Sequence, residues 1–519
     1  MDHSFSPQTS RWGLARGVGL GLVLLLTGCG VLPPLLERPP SQHLSDTGAT
    51  SLGRAVQAAG VKDGRSGLRA LPDPLEAFAA RMLLVNTAER ALDVQYYIWR
   101  DDITGTLLLD ALQRAADRGV RVRLLLDDNG TRGLDPLLLA FDDHPHVEVR
   151  LFNPYPHRGF KALGYLTEFA RLNRRMHNKA LIADTQAMIV GGRNIGDAYF
   201  GADPALDFLD LDVLAAGPIA IEVASSFDDY WNSPLAYPVS VLVATPSETG
   251  PVLAERVAEV AALPATARYE QAVRETDLAA QLVAGTLALD WVPMRLVADP
   301  PAKAEGNADP ATLMAADLMA VLGPADREID LVSPYFVPGA RGTAALARYP
   351  ERGLKLRIVT NSLAATDVAV VHAGYARRRS DLLRAGVQLY EVKPDPHASN
   401  QPRWQVMGSS AASLHGKTFT LDRQRTYVGS FNIDPRSVRF NTEMGLVIES
   451  PALAGTISAS LDRWLPTNAY EVRLGEGQRI EWVERTDAGE VVHREEPRAD
   501  LWRRLLASLL SLLPIEWLL

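Results

Sequence analysis

The chain has 519 residues, a formal net charge of −9 and a hydrophobic fraction of 47%. That fraction excludes a globally disordered chain, and the length fits two domains or three pieces. The acidic balance argues against a general nucleic-acid binder, which needs a positive footprint.

From the amino end, Arg11 and Arg16 precede the apolar run GVGLGLVLLL and then Leu26-Thr27-Gly28-Cys29. A basic start, a short apolar run and small residues describe a secretory signal over 1–29. The run is too short for a comfortable membrane span. Cys29 is the single cysteine, so no intrachain disulfide can form. Its setting resembles the bacterial lipobox, whose cysteine becomes the lipidated first residue of the mature protein. That resemblance implies a lipid-anchored protein of the bacterial cell envelope, facing the periplasm. By resemblance to lipoprotein sorting, Gly30 in the next position favours the outer membrane, with the choice between outer and inner left open.

Residues 30–73 are rich in Pro, Ser and Gly and read as a linker. A first unit is expected over 74–245. There PLEAFAARMLLVNTAERA has helical period, LDVQYYIW is a strand, TGTLLLDALQRAADRG is a helix closing on Gly119, and VRVRLLLDD is the next strand. This alternation predicts an α/β fold with a largely parallel sheet covered by helices. Residues 246–290 look helical and charged and read as a connecting insertion. The same order returns over 291–470, through ATLMAADLMAVLG, REIDLVSPYFVPG, GTAALARYPERG, LKLRIVTNS, YARRRSDLLRAG and VQLYEV. RGVRVRLLLDD at 118–128 lines up with RGLKLRIVTNS at 352–362, an offset of 234, so the chain reads as a duplication. The tail, 471–519, ends in LWRRLLASLLSLLPIEWLL. Arg503, Arg504, Pro514 and Glu516 make it a poor span, which leaves an interfacial amphipathic helix or a helix docked on the core.

In the first half stands RRMHNKALIADTQAMIVGGRN, with His177, Lys179 and Asp184 at the spacing His-x-Lys-x4-Asp, then Gly191, Gly192 and Asn194. Alone it is more simply a buried strand opened by a structural histidine. It recurs as SLHGKTFTLDRQRTYVGSFN, with His415, Lys417 and Asp422 in the same spacing, then Gly429, Ser430 and Asn432. The two histidines are 238 residues apart, close to the scaffold offset, so the motif recurs with the duplication and chance is a poor explanation.

With its two His-x-Lys-x4-Asp motifs the chain resembles the phospholipase D superfamily over about residues 74–470. In YYIWRDDITG, GGRNIGDAYF, SPYFVPG, TNSLAATD and HAGYARRR it is similar to the bacterial cardiolipin synthase branch, above all the C-type class. The resemblance implies two pseudo-symmetric phospholipase D-like α-β-α sandwich domains with mixed, largely parallel sheets and the active site at their interface. It also implies transfer of phosphatidyl groups between membrane phospholipids, with phosphatidylglycerol a substrate, phosphatidylethanolamine a candidate second lipid, and room for an accessory protein. No nucleic acid is expected as partner.

Cleaving a phosphodiester needs an in-line nucleophile, a proton donor for the leaving oxygen and positive groups around the phosphate. Imidazole can do either of the first two jobs near neutral pH. Two histidines from two halves can approach phosphorus from opposite sides, one forming a phosphohistidine. By the resemblance His177 is the nucleophile and His415 the acid. Lys179 and Lys417 would face the non-bridging oxygens, and Asn194 and Asn432 would donate hydrogen bonds to them. Strand parity puts 177 with 179, and 415 with 417, on one face. Asp184 and Asp422 fall an odd number of residues away, and in the family this residue is structural. Each imidazole still needs a carboxylate to orient it. The candidates are Asp210 and Glu443, which follow their histidines by 33 and 28 residues, with the pairing left open. No His/Cys cluster has zinc spacing, so no metal or other cofactor is expected. Asn361, Ser362, Asp367, His372, Tyr375 and Arg379 read either as a headgroup or second-phosphate site or as a solvated helix face. The competing functions are a hydrolase releasing phosphatidic acid, a secreted nuclease, and an inactive lipid-binding lipoprotein.

Overall fold

The computed structural model describes residues 32–35, 38–60, 63–201, 210–243, 252–276, 278, 281, 286–394, 414–512 and 516. The signal over 1–29 and the lipidated Cys29 lie outside the described residues. In chain order the first half runs β1 (Ser66–Leu71), α1 (Pro74–Thr87), β2 (Ala91–Ile98), α2 (Ile103–Asp117), β3 (Arg121–Gly130), β4 (Val147–Phe152), α3 (Gly164–Leu172), β5 (Ala180–Ala183), β6 (Ala187–Gly191), β7 (Asp212–Ala216), α4 (Pro218–Trp231) and β8 (Ala236–Pro238). It continues through α5 (Val252–Ala261) and α6 (Thr266–Glu275) to β9 (Asp290–Val292). The second half runs β10 (Met294–Ala298), β11 (Glu328–Val332), α7 (Gly339–Glu351), β12 (Lys355–Asn361), α8 (Ala369–Arg384), β13 (Gln388–Val392), β14 (Thr418–Leu421), β15 (Arg425–Gly429), β16 (Met444–Glu449) and α9 (Pro451–Asn468). It closes with β17 (Ala469–Leu474), β18 (Ile480–Thr486), β19 (Gly489–His493) and α10 (Leu501–Leu512).

Local chemistry sets these boundaries. Asp73 accepts the Glu76 N–H ahead of Pro74, and Asp102 accepts the Gly105 N–H, so α1 and α2 both start on an aspartate cap. The turn after α2 needs a left-handed residue, which Gly119 supplies at φ 89°.

Among the described residues the strands form two sheets, ordered β8-β4-β3-β2-β5-β6-β7-β1-β9 and β10-β16-β15-β14-β11-β12-β13-β17-β18-β19. Each is mixed, as expected, but the expectation that the mixed sheets are largely parallel is corrected. Parallel pairing is confined to β2–β3–β4 and β11–β12–β13. The reason lies in the motifs themselves. Asp184 and Thr185 sit at φ 51° and 55°, and Asp422 and Arg423 at 54° and 56°. Two consecutive left-handed residues make the tight turn that joins antiparallel strands. Each motif therefore folds as a hairpin, β5–β6 or β14–β15, laid antiparallel on β2 or β11.

Three boundaries differ from expectation. Residues 30–73 are not a plain linker, because β1 pairs with β7 and β9 and buries Leu68 and Leu71. Gly67 and Arg69 interrupt its alternation and hide it in the sequence. The tail from 471 is not wholly outside the second sheet either, since β17–β19 extend that sheet to His493. Their glutamates and arginines mask the buried Trp482 and Val483, which lie on opposite faces of β18. The chain passes from the first sheet to the second at Pro293, between β9 and β10, and not at 291. Helices α5 and α6 dock on the outer helices, where Tyr269 packs edge-on against Phe78 at 5.4 Å.

One hydrophobic cluster belongs to both halves. It joins Phe152, Met176 and Trp231 to Val359, Leu446 and Leu461. At ~1.5–3 kcal/mol for each fully buried large apolar side chain, this shared core fixes the two sheets against each other.

Candidate active site

His177 lies just before β5 and His415 just before β14, beside the carboxyl ends of β2 and β11. Backbone pairing across the halves sets the first histidine: the His177 N–H donates to Thr442 O at 2.9 Å, and the Thr442 N–H donates to Arg175 O at 2.9 Å. The residue ahead of each histidine is clamped from a neighbouring strand. Asp127, on β3, accepts the Met176 N–H at 2.8 Å, and Asn361, on β12, accepts the Leu414 N–H at 3.1 Å and donates back to Leu414 O at 3.0 Å.

The two carboxylates cross over. His177 Nδ1 donates to Glu443 Oε2 at 2.7 Å, and His415 Nδ1 donates to Asp210 Oδ2 at 2.8 Å. Each acid comes from the half opposite its histidine, which settles the pairing that spacing left open. Each acid also rests on the small residue of its own motif. Ser430 and Ser437 donate to Glu443 at 2.5 and 2.8 Å. In the first half a Cβ on Gly192 would lie 2.1 Å from Asp210 Oδ1, so only glycine fits there. Holding Nδ1 in this way leaves Nε2 of both rings as the reacting atom.

Electrostatics confirm that the four basic side chains share one space. Burial pushes the His177 pKa well below its ordinary value, and Lys179, Lys417 and His415 push the same way. Burial, with Lys417 behind it, lowers His415 to about 4 against the opposing pull of Asp210. Burial and then Lys417 bring Lys179 down to about 7, and burial lowers Lys417 as well. Burial raises Glu443 to about 6. Burial would also raise Asp210, but His415, Arg193 and Lys417 offset it and hold it near about 2. Without a ligand the pocket therefore holds neutral imidazoles and two lysines whose charged form burial disfavours, beside the ionised Asp210, so an entering anion would favour protonation of these bases. The lysine ammonium groups meanwhile donate to the carbonyls of the motif histidines, Lys179 to His177 O at 2.6 Å and Lys417 to His415 O at 2.5 Å.

Other expected residues are placed differently. Asn194 accepts the Ile98 N–H and gives one amide N–H to Tyr199, which leaves its second N–H. Among the described residues the buried Asn432 Oδ1 meets no donor. Asp184 accepts the N–H groups of Glu89, Arg90 and Ala91, and Asp422 those of Asp326, Arg327 and Glu328. Both tie the hairpin turn to the start of the neighbouring strand. Gly191 and Gly429 allow close strand approach to Asp212 and Met444.

The headgroup set does not stay together. Asn361 is the Leu414 clamp. Asp367 accepts from the Tyr335 hydroxyl at 3.0 Å and acts electrostatically on Lys417, so it belongs to the site's rim. His372, Tyr375 and Arg379 instead form a buried network with Glu391 and Glu496. Among these groups His372, Glu391 and Glu496 are close enough to one another to ligate an ion, but the cation among them is the Arg379 guanidinium. The even helical spacing of 372, 375 and 379 could not show which side of α8 faced the site.

Sequence reasoning passed over two aromatic supports. Tyr97 stands edge-on to His177 at 4.9 Å, and Tyr199 edge-on to His415 at 5.2 Å. Both lie in segments that carried the resemblance, YYIW and GDAYF, and neither has a polar spacing that flags it.

Two imidazoles, each held by a carboxylate of the other half and flanked by two lysines, define a two-histidine phosphodiester-transferring enzyme. The family described as "Cardiolipin synthase, PLD-like domain" matches residues 83–231 and 318–465. The chain is 48% identical over 464 residues to cardiolipin synthase C of Escherichia coli K12, covering 88% of this chain and 97% of that protein. It is 26% identical over 396 residues to cardiolipin synthase A of Pseudomonas entomophila, covering 76% and 67%. The phosphatidylserine synthase of Haemophilus influenzae shares the fold, with a TM-score of 0.51 at 14% identity over 81% of this chain and 92% of that one. The chain belongs to the cardiolipin synthase family of the phospholipase D superfamily and is a phosphatidyltransferase of that family.

Proposed function

We propose that the protein makes cardiolipin by moving a phosphatidyl group from one phospholipid to the glycerol hydroxyl of phosphatidylglycerol. The crossed pairs of His177 with Glu443 and His415 with Asp210 carry this reading. His177 Nε2 attacks phosphorus, and its Nδ1 proton stays on the hydrogen bond to Glu443. The bond from phosphorus to the leaving alcohol breaks, and that oxygen takes a proton from His415 Nε2. Lys179, Lys417 and the remaining amide N–H groups of Asn194 and Asn432 hold the non-bridging oxygens. In the second half-reaction His415 Nε2 takes the proton of the incoming hydroxyl, whose oxygen attacks the phosphohistidine and frees His177. The entering anion raises the depressed pKa of the acid to where it can serve as a donor.

The lipids follow from the family resemblance, and phosphatidylethanolamine is the second donor to test. The lipobox-like setting of Cys29 supports an acyl anchor on the periplasmic side of an envelope membrane, readable as the mass of the mature amino terminus. Among the described residues no helix is long and apolar enough to cross a membrane.

The test follows labelled phosphatidylglycerol in vesicles with and without phosphatidylethanolamine, for wild type, His177→Ala and His415→Ala. Cardiolipin from wild type and its loss from both variants is expected. Phosphatidic acid with free headgroup and no cardiolipin would make the protein a hydrolase.

A further inference from the structure

Water or any small alcohol can resolve a phosphohistidine. Phosphatidylglycerol differs from these because its hydroxyl carries a second phosphodiester, one glycerol away. The groups around the reacting phosphorus do not meet that second charge, and His372, Tyr375 and Arg379 are committed to their own buried network. An acceptor activated by His415 needs a cation on the His415 side of the site.

Arg100 stands there. It follows Trp99, which bridges to Ile195, and its own N–H donates to Ile195 O at 3.0 Å. That pairing lays it beside the segment Asn194-Ile195-Gly196. A Cβ on Gly196 would lie 2.8 Å from Arg100 Cγ, so the glycine makes room for the arginine stem. In the short helical turn that follows, Tyr199 accepts an Asn194 amide N–H at 2.9 Å and stands edge-on to His415 at 5.2 Å. Burial raises the Tyr199 phenol, and the Asn194 amide and then the Arg100 guanidinium act against it. Arg100, Asn194 and Tyr199 therefore share the ground beside His415.

Arg100 is also uncommitted. It is half-buried, and among the described residues its guanidinium has no hydrogen-bond or ion-pair partner. Its neighbours are taken. Asp101 pairs with Arg256 at 2.7 Å, and Asp102 accepts the N–H groups of Gly105 and Asp197 at 3.1 and 2.8 Å. The two acids that also act on the Tyr199 hydroxyl are held as well, Asp210 by His415 and Asp367 by the Tyr335 hydroxyl. On the His177 side the cations are engaged, Arg436 with Asn173 and Lys161 with Asp128. A guanidinium fork with nothing in it suits a phosphate, which it can grip with two parallel N–H bonds. Tyr199 only accepts from Asn194, so its own hydroxyl hydrogen is left to give. We propose that Arg100 binds the phosphodiester of the entering lipid, with the Tyr199 hydroxyl as a second donor, and so selects phosphatidylglycerol over acceptors that carry no phosphate. This deepens the proposed function and rests on its second half-reaction. There the acceptor hydroxyl gives its proton to His415 Nε2, its oxygen bonds to phosphorus, and the bond from phosphorus to His177 breaks. Arg100 is idle in the first half-reaction, where the departing glycerol or ethanolamine carries no phosphate.

The experiment reads the choice of acceptor and not the rate alone. The full chain is given phosphatidylglycerol vesicles together with labelled free glycerol. Cardiolipin counts transfer to the phosphate-bearing acceptor. Labelled phosphatidylglycerol and phosphatidic acid count transfer to glycerol and to water. In Arg100→Gln the ratio of the first to the sum of the others is expected to fall about tenfold or more, the loss of a charge-assisted contact. Arg100→Lys keeps the charge without the fork and should fall between the two. A ratio unchanged in Arg100→Gln, or an equal fall in all three products, overturns the subsite while the proposed function stands. Wild type that forms no cardiolipin defeats the proposed function and the subsite with it.

Discussion

Glu443 holds His177 at 2.7 Å from across the interface between the two halves. Neither half can therefore assemble a complete site alone. The carboxylate keeps the Nδ1 proton in place and stabilises the imidazolium-like charge of the transition state. Replacing it with an amide keeps the shape and removes the charge. Glu443→Gln should lower kcat by about 100-fold or more with little change in KM. Adding His177→Ala to Glu443→Gln should cost no more than His177→Ala alone, because the two act as one unit. Steady-state turnover on mixed vesicles checks both. Additive losses would show that Glu443 works independently of His177.

Lys179 should be an unfavourable residue for folding. Burial and Lys417 bring it down to about 7 from 10.5. Since the folded pKa is the lower one, the unfolded chain binds more protons between about 7 and 10.5, and the strain from this residue eases as pH rises through that window. Lys179→Met removes the charge at similar volume. It should abolish turnover yet raise Tm by a few degrees at pH 7, about 2–4 °C per kcal/mol for a domain of 150–250 residues. The gain should shrink toward pH 10. A lower Tm in the variant at pH 7 would mean that the ammonium is stabilising as it stands.

Much of this site was legible from two spacings. The His-x-Lys-x4-Asp repeats place His177, Lys179, His415 and Lys417 by strand parity, because a strand alternates its faces regularly. The odd offset of Asp184 and Asp422 also shows in the structure, where both turn away into backbone contacts. The crossing of Asp210 and Glu443 was not legible, because an acid 33 or 28 residues downstream can reach either half until the two sheets are set together. Strand β1 and the β18–β19 hairpin escaped for a different reason. They lie at or next to the sheet edges, β1 beside β9 and β18 beside β19, and charged and glycine residues dilute their alternation. The antiparallel return of each motif was encoded in the two-residue turns Asp184-Thr185 and Asp422-Arg423, but neither pair has the Asn-Gly form that announces such a turn.

Arg379 separates a structural reading of α8 from a substrate-binding one. Its guanidinium lies 3.0 Å from Glu391 and 2.9 Å from Glu496, and it is buried. Glu496 precedes α10, so this network fastens the carboxyl-terminal segment to the second sheet. Arg379→Met would leave two carboxylates in low dielectric without their cation, and should destabilise the fold by about 3–5 kcal/mol. Denaturant unfolding would read the loss, and KM for lipid among the molecules that stay folded should hardly move. A raised KM with intact stability would instead return Arg379 to headgroup recognition.

Asp184 is expected to matter to folding and not to chemistry. It takes three backbone N–H groups, those of Glu89, Arg90 and Ala91, at 2.8–3.0 Å. Those donors lie in the loop that leads from α1 into β2, and Asp184 itself sits at φ 51° in the turn of the motif hairpin. One carboxylate thus registers β5 against β2, and His177 stands at the far end of that register. Asp184→Ala removes the shared acceptor and leaves the buried Ala91 N–H unpaired, at about 1–3 kcal/mol, while the N–H groups of the exposed Glu89 and Arg90 can turn to water at less cost. Asp184→Asn keeps one oxygen and should lose less. Soluble yield and Tm should fall in that order, while turnover per folded molecule stays within about threefold of wild type, since a shift of less than ~1 kcal/mol in barrier is all that a slightly loosened register would cost. Turnover lost in a chain with unchanged Tm would place Asp184 in the chemistry after all.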